Sequence, residues 1–405
     1  MTATAARGLE GVRPEASVTT RLRSLRFVLA VWTLSRLWFM LTGALGSAFV
    51  VNAWHANVYR FTPPGALSYW ASWDGAWYEA IAQHGYADTA STAYFPLYPL
   101  LMRAGMEIGL PPSVAGVVIS LAAFLAALFF IYELAVDIFD ERVARASTLA
   151  LAFFPTAFYF NAVYSESLFL ALTAGALWAV RVRGNFLVGL VLGYGATLTR
   201  NAGVLIVIPF AAELFRRRRE VGWVGVGLAA IVPCGLFAYM FYLWGRWRNA
   251  LLFSFVEREK WSRTLRNPLD TLAASWRTAR DSSAAFVHVD GMFAGTQSNP
   301  ALIGSNTLGF ACLALAAILV AFGLMKLPPV YWLYAFALVA LPLLTPVPGF
   351  PLMGFPRYLV VAFPLFWVVG TFLARSRALL AVWLVAEACI GVYLTVMFVT
   401  WRWVA

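Results

Sequence analysis

One apolar segment follows another along nearly the whole chain, and their lengths constrain the fold more than any other feature. A helix needs about 20 residues to cross a bilayer. Runs near that length fall at 25–51, 113–138, 144–163, 166–182, 185–199, 201–215, 221–245, 301–325, 329–346, 356–374 and 378–400, about 11 crossings in all. In hydrocarbon each segment must satisfy its own backbone N–H and C=O groups, so runs of this kind specify helices. Charged residues make up 12% of the chain and hydrophobic residues 61%, whereas soluble domains carry roughly 25% charged residues. The expectation is an all-α polytopic membrane protein, integral to the cell membrane. The segments on either side of Arg200 are short, which suits tilted half-helices or a re-entrant hairpin.

Basic residues orient the chain. Arg142 and Arg145, Arg181 and Arg183, Arg216–Arg219, Lys326, and Arg375 and Arg377 all lie in short loops that would share one side with the N-terminus. The positive-inside rule makes that side cytoplasmic. Residues 1–24 then form a cytoplasmic tail, and the apolar run after them is too long for a signal peptide. Residues 25–405 read as one membrane domain. Its long outer loops span about 52–112 and 246–300, and segment 92–110 is expected to lie as an interfacial helix in the first of them. The net charge of +11 is accounted for by topology and anionic lipid, with no nucleic-acid partner implied. Cys234, Cys312 and Cys389 sit far apart inside apolar runs and read as small buried hydrophobes, without metal or disulfide spacing.

Acidic residues number only 19, so an outward carboxylate among aromatics stands out. Asp74 lies in Trp73-Asp74-Gly75-Ala76-Trp77-Tyr78-Glu79. A carboxylate there can take a proton from an attacking alcohol, or it can cap a helix. Arg200 sits at the polar break between two apolar segments and Arg357 opens another. Each can grip a phosphate bidentately or simply snorkel at a helix end. Glu166 starts a segment, where it meets a helix dipole or a substrate. The cations of loop 246–300, Lys260 and Arg263 among them, are either solvated surface or an attraction for an anionic head group. His84 and His288 are isolated, and no ligand set for a divalent metal accompanies Asp74. No nucleotide-binding loop is present.

The stretches WDGAWYEAIAQHGY (73–86), AYFPLYPLLMR (93–103), FFPTAFYFNAVYSESLF (153–169), ATLTRNAGVLIVIP (196–209), LLFSFVEREKW (251–261) and FPRYLVVAFPLF (355–366) together resemble the phosphatidylinositol-glycan class V (PIG-V) mannosyltransferases, in particular bacterial members. These belong to the C-type superfamily of membrane glycosyltransferases. The resemblance implies transfer of a sugar, typically mannose, from a polyprenyl-phosphate carrier to a glycan or glycolipid hydroxyl. It also implies catalysis at the extracytoplasmic face with inversion at the anomeric carbon, and no cofactor beyond the lipid-linked donor. Asp74 matches the family's first-loop base. Arg200 and Arg357, with Lys260 and Arg263, would meet the donor phosphate. Trp73, Trp77, Tyr78, His84, Tyr86 and Glu166 would line the substrate. A transporter or flippase, or a transferase for another lipid-linked sugar, are the competing readings.

Overall fold

A computed structural model describes residues 18–50, 65–287 and 300–404, and the described chain is helical throughout, with one isolated bridge at Val347 and Phe350. The helices are α1 (Val18–Phe49), α2 (Asp74–His84), α3 (Leu97–Glu107), α4 (Pro112–Ile138), α5 (Glu141–Phe153), α6 (Glu166–Arg181), α7 (Phe186–Thr197), α8 (Val207–Arg216), α9 (Arg218–Gly227), α10 (Cys234–Trp247), α11 (Leu252–Trp261), α12 (Pro268–Val287), α13 (Pro300–Lys326), α14 (Pro329–Leu344), α15 (Phe355–Val361), α16 (Pro364–Leu373) and α17 (Arg377–Val399). Among the described residues, 5 helical stretches are long and apolar enough to cross a membrane: Leu22–Phe49, Pro112–Ile138, Arg218–Trp247, Gly304–Lys326 and Arg377–Val399. The bent pair α15–α16 makes up to 6. The chain is an integral, multi-pass membrane protein. His288, residues 51–64 of the first loop and most of the N-terminal tail lie outside the described residues.

Two expected spans are broken, each at a proline. The helix expected over 144–163 stops at Phe153, because Phe154 precedes Pro155 and is turned to φ −48°, ψ 140°. Residues 154–165 continue as buried irregular chain. Their backbone groups still need partners, and α1 supplies them. Arg36, 3% exposed, donates to the carbonyls of Ala152 and Ala157 at 2.7 and 2.8 Å and to Asn161 Oδ1 at 2.5 Å. Ser120 of α4 donates to Ala162 O at 2.7 Å, and Val163 N–H donates to Trp70 O at 2.9 Å. The second break splits 356–374 into α15 and α16, bent by 72° ahead of Pro364.

The short segments around Arg200 are two short helices. α7 ends at Thr197, Arg200 is extended, and a 3-10 turn over Asn201–Ile206 leads into α8. Within segment 92–110 the chain forms the helix α3, preceded by a 3-10 turn at Ala90–Ala93. Within loop 246–300 the chain forms α11 and α12, and α12 packs along α13. α4 packs along α6, and α5 against α16. The breaks at 154–165, 198–206 and 345–354 carry the irregular chain that builds the site.

Candidate functional site

Helix α2 opens at Asp74, and the residue before it sets the direction of entry. Trp73 occupies the N-cap with φ 58° and ψ −117° and makes no side-chain capping bond. Holding a bulky residue there costs on the order of 1–3 kcal/mol. Its indole packs against Trp401 and Trp403, with ring centroids 5.6 and 5.0 Å away. Asp74 is therefore the first helical residue, and the capping alternative for it is overturned. Its N–H donates to Tyr164 Oη at 3.2 Å, and its carboxylate is left to meet side chains from distant segments.

Those side chains form an alternating row of charge. Tyr94 Oη donates to Asp74 Oδ1 at 3.1 Å, and Arg357 Nη1 donates to Oδ2 at 2.5 Å. Arg357 Nε donates to Glu166 Oε1 at 2.7 Å, and Arg200 Nη1 donates to the same oxygen at 2.6 Å. Glu166 is fully buried, both arginines are 12% exposed, and Asp74 is 24% exposed. Charges this deep persist because each is paired, and removing one partner strands the others. Local structure aims each group. Glu166 begins α6, where the helix N-terminus favours a carboxylate. Gly354, at φ 82°, turns the chain just before Pro356, so Arg357 projects from the first turn of α15. Arg357 lies over the Tyr164 ring at 4.6 Å, and Arg200 over Tyr358 at 5.3 Å.

Asp74, Arg200 and Arg357 face a cavity of about 230 Å³, together with Tyr78, Glu257, Trp261 and Arg263. Whole-ligand pockets run about 300–1,000 Å³, so this cavity suits a head group better than a lipid tail. Arg263 Nε sits 3.0 Å from Glu257 Oε2. Its Nη1 and Nη2 donate to the carbonyls of Thr345 and Met353, both at 3.2 Å. Burial raises the Glu257 pKa from its ordinary value, with Arg263 opposing the rise and Asp74's charge adding to it. Burial also raises the Tyr94 phenol well above its ordinary value, and Asp74's charge adds to it. Tyr94 is thus kept as a proton-bearing donor to the carboxylate.

The other expected residues distribute themselves around this wall. Glu166 stands behind it, outside the cavity lining. Trp77 stacks on Tyr94 at 5.7 Å, and Tyr86 Oη donates to the Tyr94 carbonyl at 2.7 Å, so both support a wall residue. Trp73 sits beneath the wall against Trp401 and Trp403. Lys260 is exposed on α11 and His84 is exposed at the end of α2, and neither lines the cavity. Among the described residues no three His, Cys, Asp or Glu side chains cluster as metal ligands.

Sequence reasoning missed Tyr94, Glu257, Trp261 and Trp403. For Glu257 and Trp261 a signal existed. Ser254, Glu257 and Trp261 recur at i, i+3 and i+7 on one face of α11, while Leu252, Phe253 and Val256 pack with Tyr239 and Leu243. Chemically, the arginines hold fixed positive charge without exchanging protons. Asp74 puts a carboxylate at the edge of the cavity.

The family model described as Mannosyltransferase (PIG-V) matches residues 18–214, which include Asp74, Glu166 and Arg200. Among curated proteins, GPI mannosyltransferase 2 of Drosophila pseudoobscura pseudoobscura is 30% identical over 115 residues, 26% of this chain. That match spans 25% of the relative's own length. Among solved structures, ArnT from Cupriavidus metallidurans bound to undecaprenyl phosphate shares 15% identity, with a TM-score of 0.38 over 96% of this chain and 77% of that one.

Proposed function

We propose that this chain, whose residues 18–214 match the family model described as Mannosyltransferase (PIG-V), is an inverting membrane glycosyltransferase. It moves a sugar, in this reading mannose, from a polyprenyl-phosphate carrier to an acceptor hydroxyl, with Asp74 as general base. The observation that carries the reading is the row Asp74–Arg357–Glu166–Arg200, which sets a proton acceptor and two fixed cations around one cavity.

The roles follow from donor and acceptor counts. A guanidinium has five N–H donors. Arg357 commits its Nε and one Nη1 bond to Glu166 and Asp74, and Arg200 commits one Nη1 bond to Glu166. The remaining N–H groups are available to a phosphate, with Arg263 beside them. An ionised carboxylate has about four lone-pair sites, so Asp74 keeps capacity for a substrate O–H beyond Tyr94 and Arg357. As the hydroxyl attacks the anomeric carbon, Asp74 takes its proton and the bond to the carrier phosphate breaks. A phosphate monoester with a second pKa of about 6 leaves without an acid. The developing charge falls on the arginines, which are already in place. A single displacement with one base inverts the anomeric centre. The positive-inside pattern supports an extracytoplasmic site with the N-terminus inside.

The test is direct. Purified protein in nanodiscs is incubated with labelled polyprenyl-phosphate-mannose and a membrane extract. Movement of label into a new product is the expected result. Donor binding with no transfer under any condition contradicts the proposal and favours a lipid carrier.

A further inference from the structure

Asp74 and Glu257 are the two carboxylates lining the cavity, and they are engaged differently. Each oxygen of Asp74 already accepts one hydrogen bond, Oδ1 from Tyr94 and Oδ2 from Arg357. Glu257 meets Arg263 through Oε2, while its Oε1 accepts no hydrogen bond among the described residues. The side chain is 36% accessible and opens on the cavity. Arg263 is itself tied to the Thr345 and Met353 carbonyls, so the carboxylate is held by an anchored partner and its free oxygen has a set position.

An anionic oxygen repels phosphate and accepts hydrogen bonds from neutral O–H groups. Its neighbours on the same helix face extend that chemistry. Ser254 lies one turn before it and Trp261 one turn after, and all three line the cavity. The Trp261 ring packs edge-on to Tyr94, with centroids 6.4 Å apart. A hydroxyl, a carboxylate and an indole in a row match a polyol ring, with O–H groups at its edge and C–H groups on its face. The opposite face of α11 is buried in a cluster with Tyr239 and Leu243, so the row is held in place by packing.

We infer that the Ser254–Glu257–Trp261 face of α11 is the subsite that recognises a neutral hexose ring, and that it sets sugar selectivity while the arginines bind phosphate. This rests on the glycosyltransferase reading above and names the part of the site that reads the sugar. The ring belongs either to the lipid-linked donor or to a glycan acceptor.

The test separates lipid from sugar. Thermal stabilisation of the intact protein in nanodiscs is measured with polyprenyl phosphate and with polyprenyl-phosphate-mannose. The sugar-bearing lipid should bind the wild type at least about tenfold more tightly. Glu257→Ala and Trp261→Ala should each erase that difference, Trp261→Ala with bare-phosphate binding within about twofold of wild type, and Glu257→Gln, which keeps an acceptor oxygen, should recover part of it. If the ring is the acceptor's, the variants leave donor binding unchanged and raise the acceptor KM at least about tenfold, with kcat changed far less. Variants that alter neither quantity overturn the inference. Because the lipid-binding arm needs no turnover, failure of transfer in the wild type sinks the transferase reading without deciding this one.

Discussion

Glu166→Gln is the substitution whose consequences the charge row fixes most tightly. The side chain keeps its shape, but Oε1 changes from a carboxylate serving two guanidinium groups, at 2.6 and 2.7 Å, to an amide. Glu166 is fully buried and both arginines are 12% exposed. Two buried cations would then share a single carboxylate, Asp74. Breaking a buried pair by removing one partner costs about 3–5 kcal/mol, which is on the order of a 4–6 °C fall in Tm. Arg357 would also be drawn wholly onto Asp74, which weakens that carboxylate as a base. The assay is thermal unfolding in detergent of Glu166→Gln, Arg200→Gln and the double variant, with transfer measured alongside. Removing Arg200 as well leaves Arg357 paired with Asp74 and restores neutrality. The double variant should therefore be more stable than the two single losses predict by at least about 1 kcal/mol. Additive losses, or a Glu166→Gln protein with wild-type Tm and turnover, would refute the row as a coupled unit.

Other substitutions probe separate parts of the account. Tyr94→Phe removes only the bond to Asp74 Oδ1, and hydrogen bonds to charged groups contribute about 1.5–3 kcal/mol. Turnover should fall at least about tenfold and Tm by about 2–4 °C, and unaltered kcat/KM would discount the bond. Arg36→Met strands the carbonyls of Ala152 and Ala157, each worth about 1–3 kcal/mol when unsatisfied; a loss of about 3 kcal/mol by denaturant unfolding is expected, and a neutral result would detach Arg36 from the 154–165 segment. Glu257 has a raised folded pKa, so its contribution to stability is fully present below the unfolded value of about 4.3 and is lost as pH rises through the folded value. The Tm of Glu257→Gln minus that of wild type should therefore grow as pH rises from about 4.3, and a difference that shrinks would contradict the raised pKa.

Local sequence disclosed the helices wherever apolar runs were uninterrupted, as at α4, α13 and α17. It disclosed the breaks less well. Pro155 and Pro364 sat inside runs apolar enough to pass as spans, and the buried Arg36 that stabilises the first break lies more than a hundred residues earlier. The site shows the same division. Asp74, Glu166, Arg200 and Arg357 each stood out because charge is scarce in hydrocarbon, but their pairing spans up to 283 positions of chain and has no local signature. Lys260 drew attention as a cation, whereas the helical phase of α11 turns Glu257 and Trp261 to the cavity. Trp403 reaches the site only because it packs on Trp73 across nearly the full chain.

In the proposed reaction Asp74 accepts the proton of the attacking hydroxyl. Asp74→Asn preserves size and a hydrogen-bonding group while removing the base. Its rate of label transfer from polyprenyl-phosphate-mannose should fall by about 10²–10⁴, with polyprenyl phosphate still stabilising the folded protein. Near wild-type turnover in that variant would contradict the account.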